Sequence, residues 1–468
     1  MRITKQSLSL LLPTLFCTLT AMAEDVPMFF DPAEDPIPYN PSSNLHGSAY
    51  ELPDAPWKRE ADKRIDQYRK ADLMLGVVDK NGKRLSGVPV HVELVKHDFY
   101  WGAIFYSDFL SSPNCEKVTP YFLKYFNSAG ASMGFKPSPC PIPSCQQSGQ
   151  SGHFYKGEKL QQWLQQHDMP VRGHTLAWEG PRFLAKDLQT IYNDPDLSDA
   201  EKGKHIFKRK VAHVKHAAEK WDVFCWDVVN EPRVNHCIDE LLPETNTLVE
   251  YFRQADQVRK NTERDFLMYY NENQVASFVR KDSSFEEYAV LYKTRIQEVL
   301  DAGIQLDGIG MQYRFRREVA PEEVYRRLCH YEEFNLPYQA TEFEIKPMTP
   351  EEPFSIEDKK RLTAEYLTLF FSHPNATGLW HWSFMDDKNG RLPDALFSHE
   401  GEARPEMEQW IKMMEEDFNT DETLTTSKKG IAHVRGFKGL YKITVGMGSK
   451  TVTSIIELKE DHTVKIVY

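Results

Sequence analysis

From residue 97 onward one pattern repeats along the chain: a short apolar or β-branched run, then a run with helical periodicity. The strand-like runs are Phe99 to Ile104, Ser132 to Lys136, Val171 to Trp178, Phe224 to Asn230, Phe266 to Asn271, Gly308 to Gln312, Gln339 to Ile345 and Thr377 to Trp382. Helical spacing fills the intervals, as at Gly157 to His167, Ala200 to Glu219, Ser284 to Asp301, Glu322 to Glu333 and Glu357 to Ser372. Strands that alternate with helices in this number close into a (β/α)8 barrel, an α/β TIM barrel. The competing open, doubly wound sheet would carry a Gly-rich phosphate loop after its first strand, and none follows Ile104.

A barrel of this kind builds its site at the carboxyl ends of the strands. His174, Trp178, Asn230, Glu231, Gln312, Glu342, Trp380 and Trp382 all fall at or near those ends. Two of them are glutamates on separate strands, Glu231 in Trp226-Asp227-Val228-Val229-Asn230-Glu231-Pro232 and Glu342 in Ala340-Thr341-Glu342-Phe343-Glu344-Ile345. Cleaving a glycosidic bond with retention takes such a pair: one acid to protonate the departing oxygen, one carboxylate to attack the anomeric carbon from the other side.

With Arg172-Gly173-His174-Thr175-Leu176-Ala177-Trp178 upstream, the stretch from about Phe99 to Trp410 resembles glycoside hydrolase family 10, the retaining β-1,4-xylanases. The resemblance implies an endo-β-1,4-xylanase-like enzyme with Glu231 as acid/base and Glu342 as nucleophile. It implies substrate contacts from Lys136, His174, Trp178, Asn230 and Gln312, and aromatic faces for the sugar at Trp380 and Trp382. No metal or other cofactor is implied. A related barrel glycosidase acting on another β-linked glycan would share both glutamates, and a non-catalytic glycan-binding protein is the alternative from another class.

Three segments depart from the family pattern. Ser132-Met133-Gly134-Phe135-Lys136 keeps only the lysine of the family's Glu-Asn and lysine after strand two, and Glu179-Gly180-Pro181 replaces His-Ser-Gln after strand three. The family's His and Asp beside the nucleophile become Arg314 and Glu344. Side chains two apart on a strand share a face, so Gln312 and Arg314 should point inward together, as should Glu342 and Glu344. Arg314 and Glu344 are therefore expected to form a substitute pair that orients the nucleophile.

The ends of the chain read differently. Arg2 and Lys5, an apolar stretch and Ala21-Met22-Ala23 have the layout of a secretory signal over residues 1–23, so a secreted protein is expected. Residues 24–96 hold a Pro-rich arm, a helix from Trp57 to Tyr68, and two strands, Leu73 to Val78 and Val88 to Leu94, around the hairpin signal Asn81-Gly82. After the barrel, 97–417, residues 418–468 read as a small all-β tail with strands at Leu440 to Val445, Thr451 to Leu458 and Thr463 to Tyr468.

Losing the two basic residues of the signal takes the net charge from −12 to −14. That balance argues against nucleic acid or acidic polysaccharide and for a neutral β-glycan, polymer or oligosaccharide, and composition leaves no surplus for a membrane span. Oligomeric state stays open. Cys140 and Cys145 are the expected local disulfide, and Cys225 is expected to be a small buried hydrophobe. Asp386-Asp387-Lys388-Asn389-Gly390 reads as a polar turn rather than a calcium loop.

Overall fold

A computed structural model describes residues 55–106, 108–132, 135–136, 151–277, 284–349, 351, 353–447 and 450–468. The signal-like segment, the Pro-rich arm before residue 55 and the Cys140–Cys145 pair lie outside them.

Two strands come first, β1 (Lys70–Val78) and β2 (Pro89–His97). The central ones follow: β3 (Tyr100–Phe105), β4 (Ser128–Ala131), β5 (Val171–Ala177), β6 (Cys225–Asn230), β7 (Leu267–Glu272), β8 (Gly308–Met311), β9 (Arg314–Phe315), β10 (Tyr338–Ile345) and β11 (Ala376–His381). Five more end the chain: β12 (Asp421–Thr425), β13 (Ile431–Phe437), β14 (Gly439–Met447), β15 (Lys450–Leu458) and β16 (His462–Val467). Among the described residues, β3 to β8, β10 and β11 pair in parallel and in order, and β11 returns to β3, which closes the barrel. The helices lie where the periodicity places them, and Ser284 and Ser198 start theirs with capping boxes to Glu287 and Glu201.

One strand differs from the sequence reading. The second barrel strand is Ser128–Ala131, so Ser132, Phe135 and Lys136 follow it rather than form it. Its residues are small because the barrel interior beside them is filled from elsewhere. A Cβ on Gly130 would come 2.1 Å from the Ile104 side chain, and one on Gly102 would come 2.1 Å from the Trp380 ring. Bulk supplied by a neighbouring strand leaves no apolar run to read.

The N-terminal strands and the C-terminal tail are not separate extensions. β1 pairs with β13 and β16, whereas β2 joins β12, β14 and β15 in a second sheet. The hairpin expected at Asn81-Gly82 is thus corrected. Gly82, at φ 81°, makes a tight turn with one isolated bridge between Val78 and Arg84, and the chain then crosses to the other sheet. The period-two faces of both sheets explain the crossing, since Leu73, Leu75, Val77, Val90, Val92, Tyr441, Ile443 and Val445 share one core.

This sandwich meets the barrel at the end where strands begin. Phe99 enters β3, and Phe371 closes the helix Ile356–Ser372 that leads into β11. There Trp101 stacks on Phe418 at 5.5 Å, Phe371 lies 5.9 Å from Phe437, and Arg69 Nε donates to the Phe371 carbonyl at 2.6 Å.

Candidate active site

β6 is buried along its whole length, and the residue after it, Glu231, takes a left-handed backbone at φ 52°. For a side chain of this size such a conformation costs on the order of 1 kcal/mol, so the surroundings must hold it. They do so at both ends. The Glu231 amide donates to the Asn271 carbonyl at 2.9 Å. Its carboxylate accepts from Trp178 Nε1 at 3.0 Å, Asn235 Nδ2 at 2.9 Å and Gln312 Nε2 at 2.6 Å.

Glu342 stands on β10 and is 3% exposed. Asn271 Nδ2 donates to its Oε1 at 3.1 Å, and Arg314 Nε and Nη2 donate to its Oε2 at 3.0 and 2.6 Å. Three donors thus fix one carboxylate orientation. Gln312 ties the two glutamates together, because its side chain reaches Glu231 while its carbonyl accepts from the Glu342 amide at 3.1 Å.

Arg314 and Glu344 meet as expected. They are register partners between β9 and β10, and Arg314 Nη1 donates to Glu344 Oε2 at 2.9 Å. Arg316 adds a second cation 3.6 Å from the same oxygen. Burial alone would favour loss of the Arg314 proton, but the two carboxylates outweigh it and raise its pKa. Its guanidinium also lies 4.2 Å from the Trp382 ring centroid, so one side chain braces Glu342 and an aromatic wall.

Below His174 lies a buried charge pair. Asp227 Oδ2 is 2.8 Å from His174 Nδ1 and 2.6 Å from Arg172 Nη1, and Arg172 Nε donates to Gln339 at 2.9 Å. Burial would raise the Asp227 pKa, but Arg172 and His174 reverse the sign and lower it. With Nδ1 directed at this carboxylate, the other face of the imidazole is left for the cleft.

The cleft holds about 750 Å³ and is lined by Lys136, His174, Trp178, Asn230, Glu231, Gln312, Arg314, Glu342 and Trp382 among others. Lys136 lies between two rings, 4.9 Å from Trp178 and 5.4 Å from Trp382, and burial depresses its pKa to about 8 against the pull of Glu342 and Glu231. Trp178 itself stacks on Phe183 at 3.4 Å.

Every candidate from the sequence except two lines this space. Glu344 stands behind Arg314, and Trp380 lies elsewhere. Trp380 is wholly buried in the barrel interior, where Nε1 donates to Ser128 Oγ at 3.1 Å and the ring stacks with Tyr100 at 6.1 Å. The correction has a local reason, since Trp380 and Trp382 share a strand face but sit at successive layers. Only Trp382 reaches the cleft.

Sequence reading missed Asn235, Asn271 and the Arg172–Asp227 pair. A charged residue inside an apolar strand was the available signal for Asp227, which lies opposite His174 in the strand register. Glu179, where the family has His, is buried and accepts from Tyr251 Oη and from Thr247 Oγ1 at 3.2 Å, with burial raising its pKa to about 7.

Elsewhere, Cys225 is buried as expected, and Asp386 and Asp387 pair with Arg404 and Arg391 across a turn. Cys329, Glu332 and His373 bring potential ligand atoms within 4.8 Å of one another. His373 Nδ1, however, accepts the Asn375 amide at 3.3 Å, and Nε2 lies 3.1 Å from Glu332. The cluster is thus an ordinary His–Glu contact beside a cysteine.

Comparison with known proteins agrees with this geometry. The sequence profile of glycosyl hydrolase family 10 matches residues 93–409, so the chain belongs to that family. The anti-sigma-I factor RsgI6 of Acetivibrio thermocellus is 24% identical over 400 residues, which are 84% of this chain and 47% of the relative. Endo-1,4-beta-xylanase A of Caldicellulosiruptor saccharolyticus is 26% identical over 198 residues, 41% of this chain and 52% of the relative. The chain therefore spans about half the length of these relatives. Native xylanase 10B of Thermotoga maritima superposes with a TM-score of 0.54 at 19% identity, over 68% of this chain and 96% of that one, a likeness of fold.

Proposed function

We propose that the protein is a secreted, retaining glycoside hydrolase that cleaves β-1,4-linked xylan. The observation that carries the reading is the convergence of Glu231 and Glu342 on one cleft, joined through Gln312. Glu342 attacks the anomeric carbon while Glu231 protonates the departing oxygen. Glu231 then draws a proton from water, which hydrolyses the glycosyl ester. The Gln312 amide can turn over and present N–H to a carboxylate or oxygen to a carboxylic acid, so it can follow Glu231 through both states. Retention calls for carboxyl groups roughly 5 to 5.5 Å apart.

A second reading, another β-linked glycan, is favoured by one feature. Phe135 is wholly buried against Trp221 at 4.1 Å and Ser132 is wholly buried too, so among the described residues of the segment after β4 it is Lys136 that lines the cleft. The proposal for export rests on residues 1–23, and no helix among the described residues is long and apolar enough to cross a membrane.

The test is a panel of xylan, mixed-linkage glucan, mannan and cellulose, with products resolved by size and their first-formed anomer read by NMR. Xylo-oligosaccharides of β configuration support the reading. An α product contradicts retention, and inertness on all four contradicts the enzyme.

A further inference from the structure

The chain is acidic, with a net charge of −12, yet its cleft is basic. Five cations line the cleft, Lys136, Arg182, Arg233, Arg314 and Arg316, against the carboxylates Glu231 and Glu342. Net charge is an average over the surface, and charges more than about 8 to 10 Å apart are screened from each other in salt, so the local balance governs what enters.

Three of the five are occupied. Arg314 and Arg316 pair with Glu342 and Glu344, and Lys136 sits between two tryptophans and beside both catalytic carboxylates. No carboxylate pairs with the Arg182 or Arg233 guanidinium within 4.0 Å among the described residues, although the Arg233 amide donates to Glu272 Oε2 at 3.2 Å and its charge opposes the rise that burial causes in the Glu272 pKa. Arg182 is exposed, with its guanidinium 4.6 Å from Phe183, the ring that stacks on Trp178. The Arg233 guanidinium is held 3.9 Å over the Tyr288 ring and donates through Nη2 to Asn273 Oδ1, while its Nε is buried with no acceptor. Tyr288 and Asn273 hold the guanidinium at the wall of the cleft, where an entering anion would meet it. Held this way, the fork loses little freedom when it grips one.

Their position says which part of the glycan they meet. Arg233 is two residues past Glu231, and the loop bearing Arg182 touches Asn235, which donates to Glu231 at 2.9 Å. In the proposed reaction Glu231 protonates the departing oxygen, so its neighbours face the departing sugar.

We propose that Arg182 and Arg233 receive an anionic substituent, a uronic acid carboxylate or a sulfate ester, on the leaving-group side of the scissile bond. The preferred substrate is then an acid-decorated β-glycan rather than the neutral one that overall charge suggests. The inference rests on the reading of Glu231 as the acid.

The experiment uses xylo-oligosaccharides of one length in four forms: neutral, carrying one uronic acid branch, the same branch reduced to the neutral sugar, and carrying one sulfate ester. For the wild-type protein kcat/KM on the uronic form should exceed that on its reduced twin roughly tenfold, the worth of one charge-assisted hydrogen bond. Mass spectrometry should find the branch on the released leaving fragment. In R182A and R233A the ratio of the two rates should fall toward one, a quantity that general loss of turnover does not move. An equal gain from the sulfate assigns the site to anions generally, and a gain from the carboxylate alone assigns it to uronic acids. Equal rates on the uronic and reduced forms, or a branch retained on the other fragment, overturn the proposal while xylan cleavage stands. No cleavage of any form overturns the enzymatic reading beneath it.

Discussion

The two ends of the barrel follow opposite physical rules. At the end where strands finish, carboxylates and guanidinia crowd together, Glu231 is held at φ 52°, and Arg233 keeps a buried donor unpaired. At the end where strands begin, Trp101, Phe371, Phe418 and Phe437 pack on one another, and the sandwich closes over them. The apolar end needs no exact charge geometry and supplies rigidity. The charged end spends that rigidity on holding groups where water alone would not leave them, which is the expected division between a scaffold and a site.

Substitutions should separate the ends by what they damage. Glu342→Gln should lower kcat on the order of 10⁴-fold or more, a loss far beyond any change in melting temperature, since Arg314 keeps Glu344 as its partner. Glu231→Gln should lower it about 10² to 10⁴-fold on xylan, and far less on an aryl glycoside whose leaving group needs no proton. Equal losses on both substrates would contradict the assignment of the acid.

Between the ends, the two tryptophans of β11 make a sharper comparison. Trp380→Ala removes a wholly buried ring and should cost about 3 to 5 kcal/mol of stability, read by denaturant melts. Trp382→Ala should instead raise KM roughly tenfold, about the worth of one stacking contact, with a smaller loss of stability. The reverse pattern would return Trp380 to the cleft.

Response to pH should divide the molecule in the same way. Burial lowers the Lys136 pKa to about 8, so its charge is present below that pH and lost above it, and KM should rise there in the wild type but not in Lys136→Met. At the other end burial lowers the His97 pKa from 6.5 to about 4. A lowered folded value means that the unfolded chain takes up the proton first. The stabilisation is complete above 6.5 and lost as pH falls through 4, about 3 kcal/mol in all. Melting temperatures between those limits should fall less in His97→Gln.

The barrel and most of its site could be read from the sequence because both depend on order along a strand. The period of two put Glu344 beside Glu342 on β10, and the resemblance to the family's His and Asp pointed to the pair with Arg314, although a left-handed Tyr313 at φ 58° separates Arg314 on β9 from Gln312. What failed depended on partners distant in sequence. β4 is Ser-Ala-Gly-Ala because Trp380 and Ile104 fill the space next to it. β1 and β2 read as a hairpin, yet their partners are the tail strands more than 300 residues later, as in Leu73 with Val434. β12 went unread in a polar stretch, where it is almost wholly exposed, and β13 just beyond that stretch went unread as well. Asn271 was placed at a strand end without a role, since the partners of its side chain, Asn230, Thr341 and Glu342, come from other strands.

The central claim is that Glu342 forms a covalent bond to sugar while Glu231 serves the departing oxygen. A xylobioside with fluorine at the 2-position and an activated leaving group slows both steps and lets the intermediate accumulate. Peptide mass spectrometry after incubation should place the added disaccharide on Glu342 and nowhere else, with no label in Glu342→Gln. A label on Glu231, on Glu344 or on another residue would contradict the account.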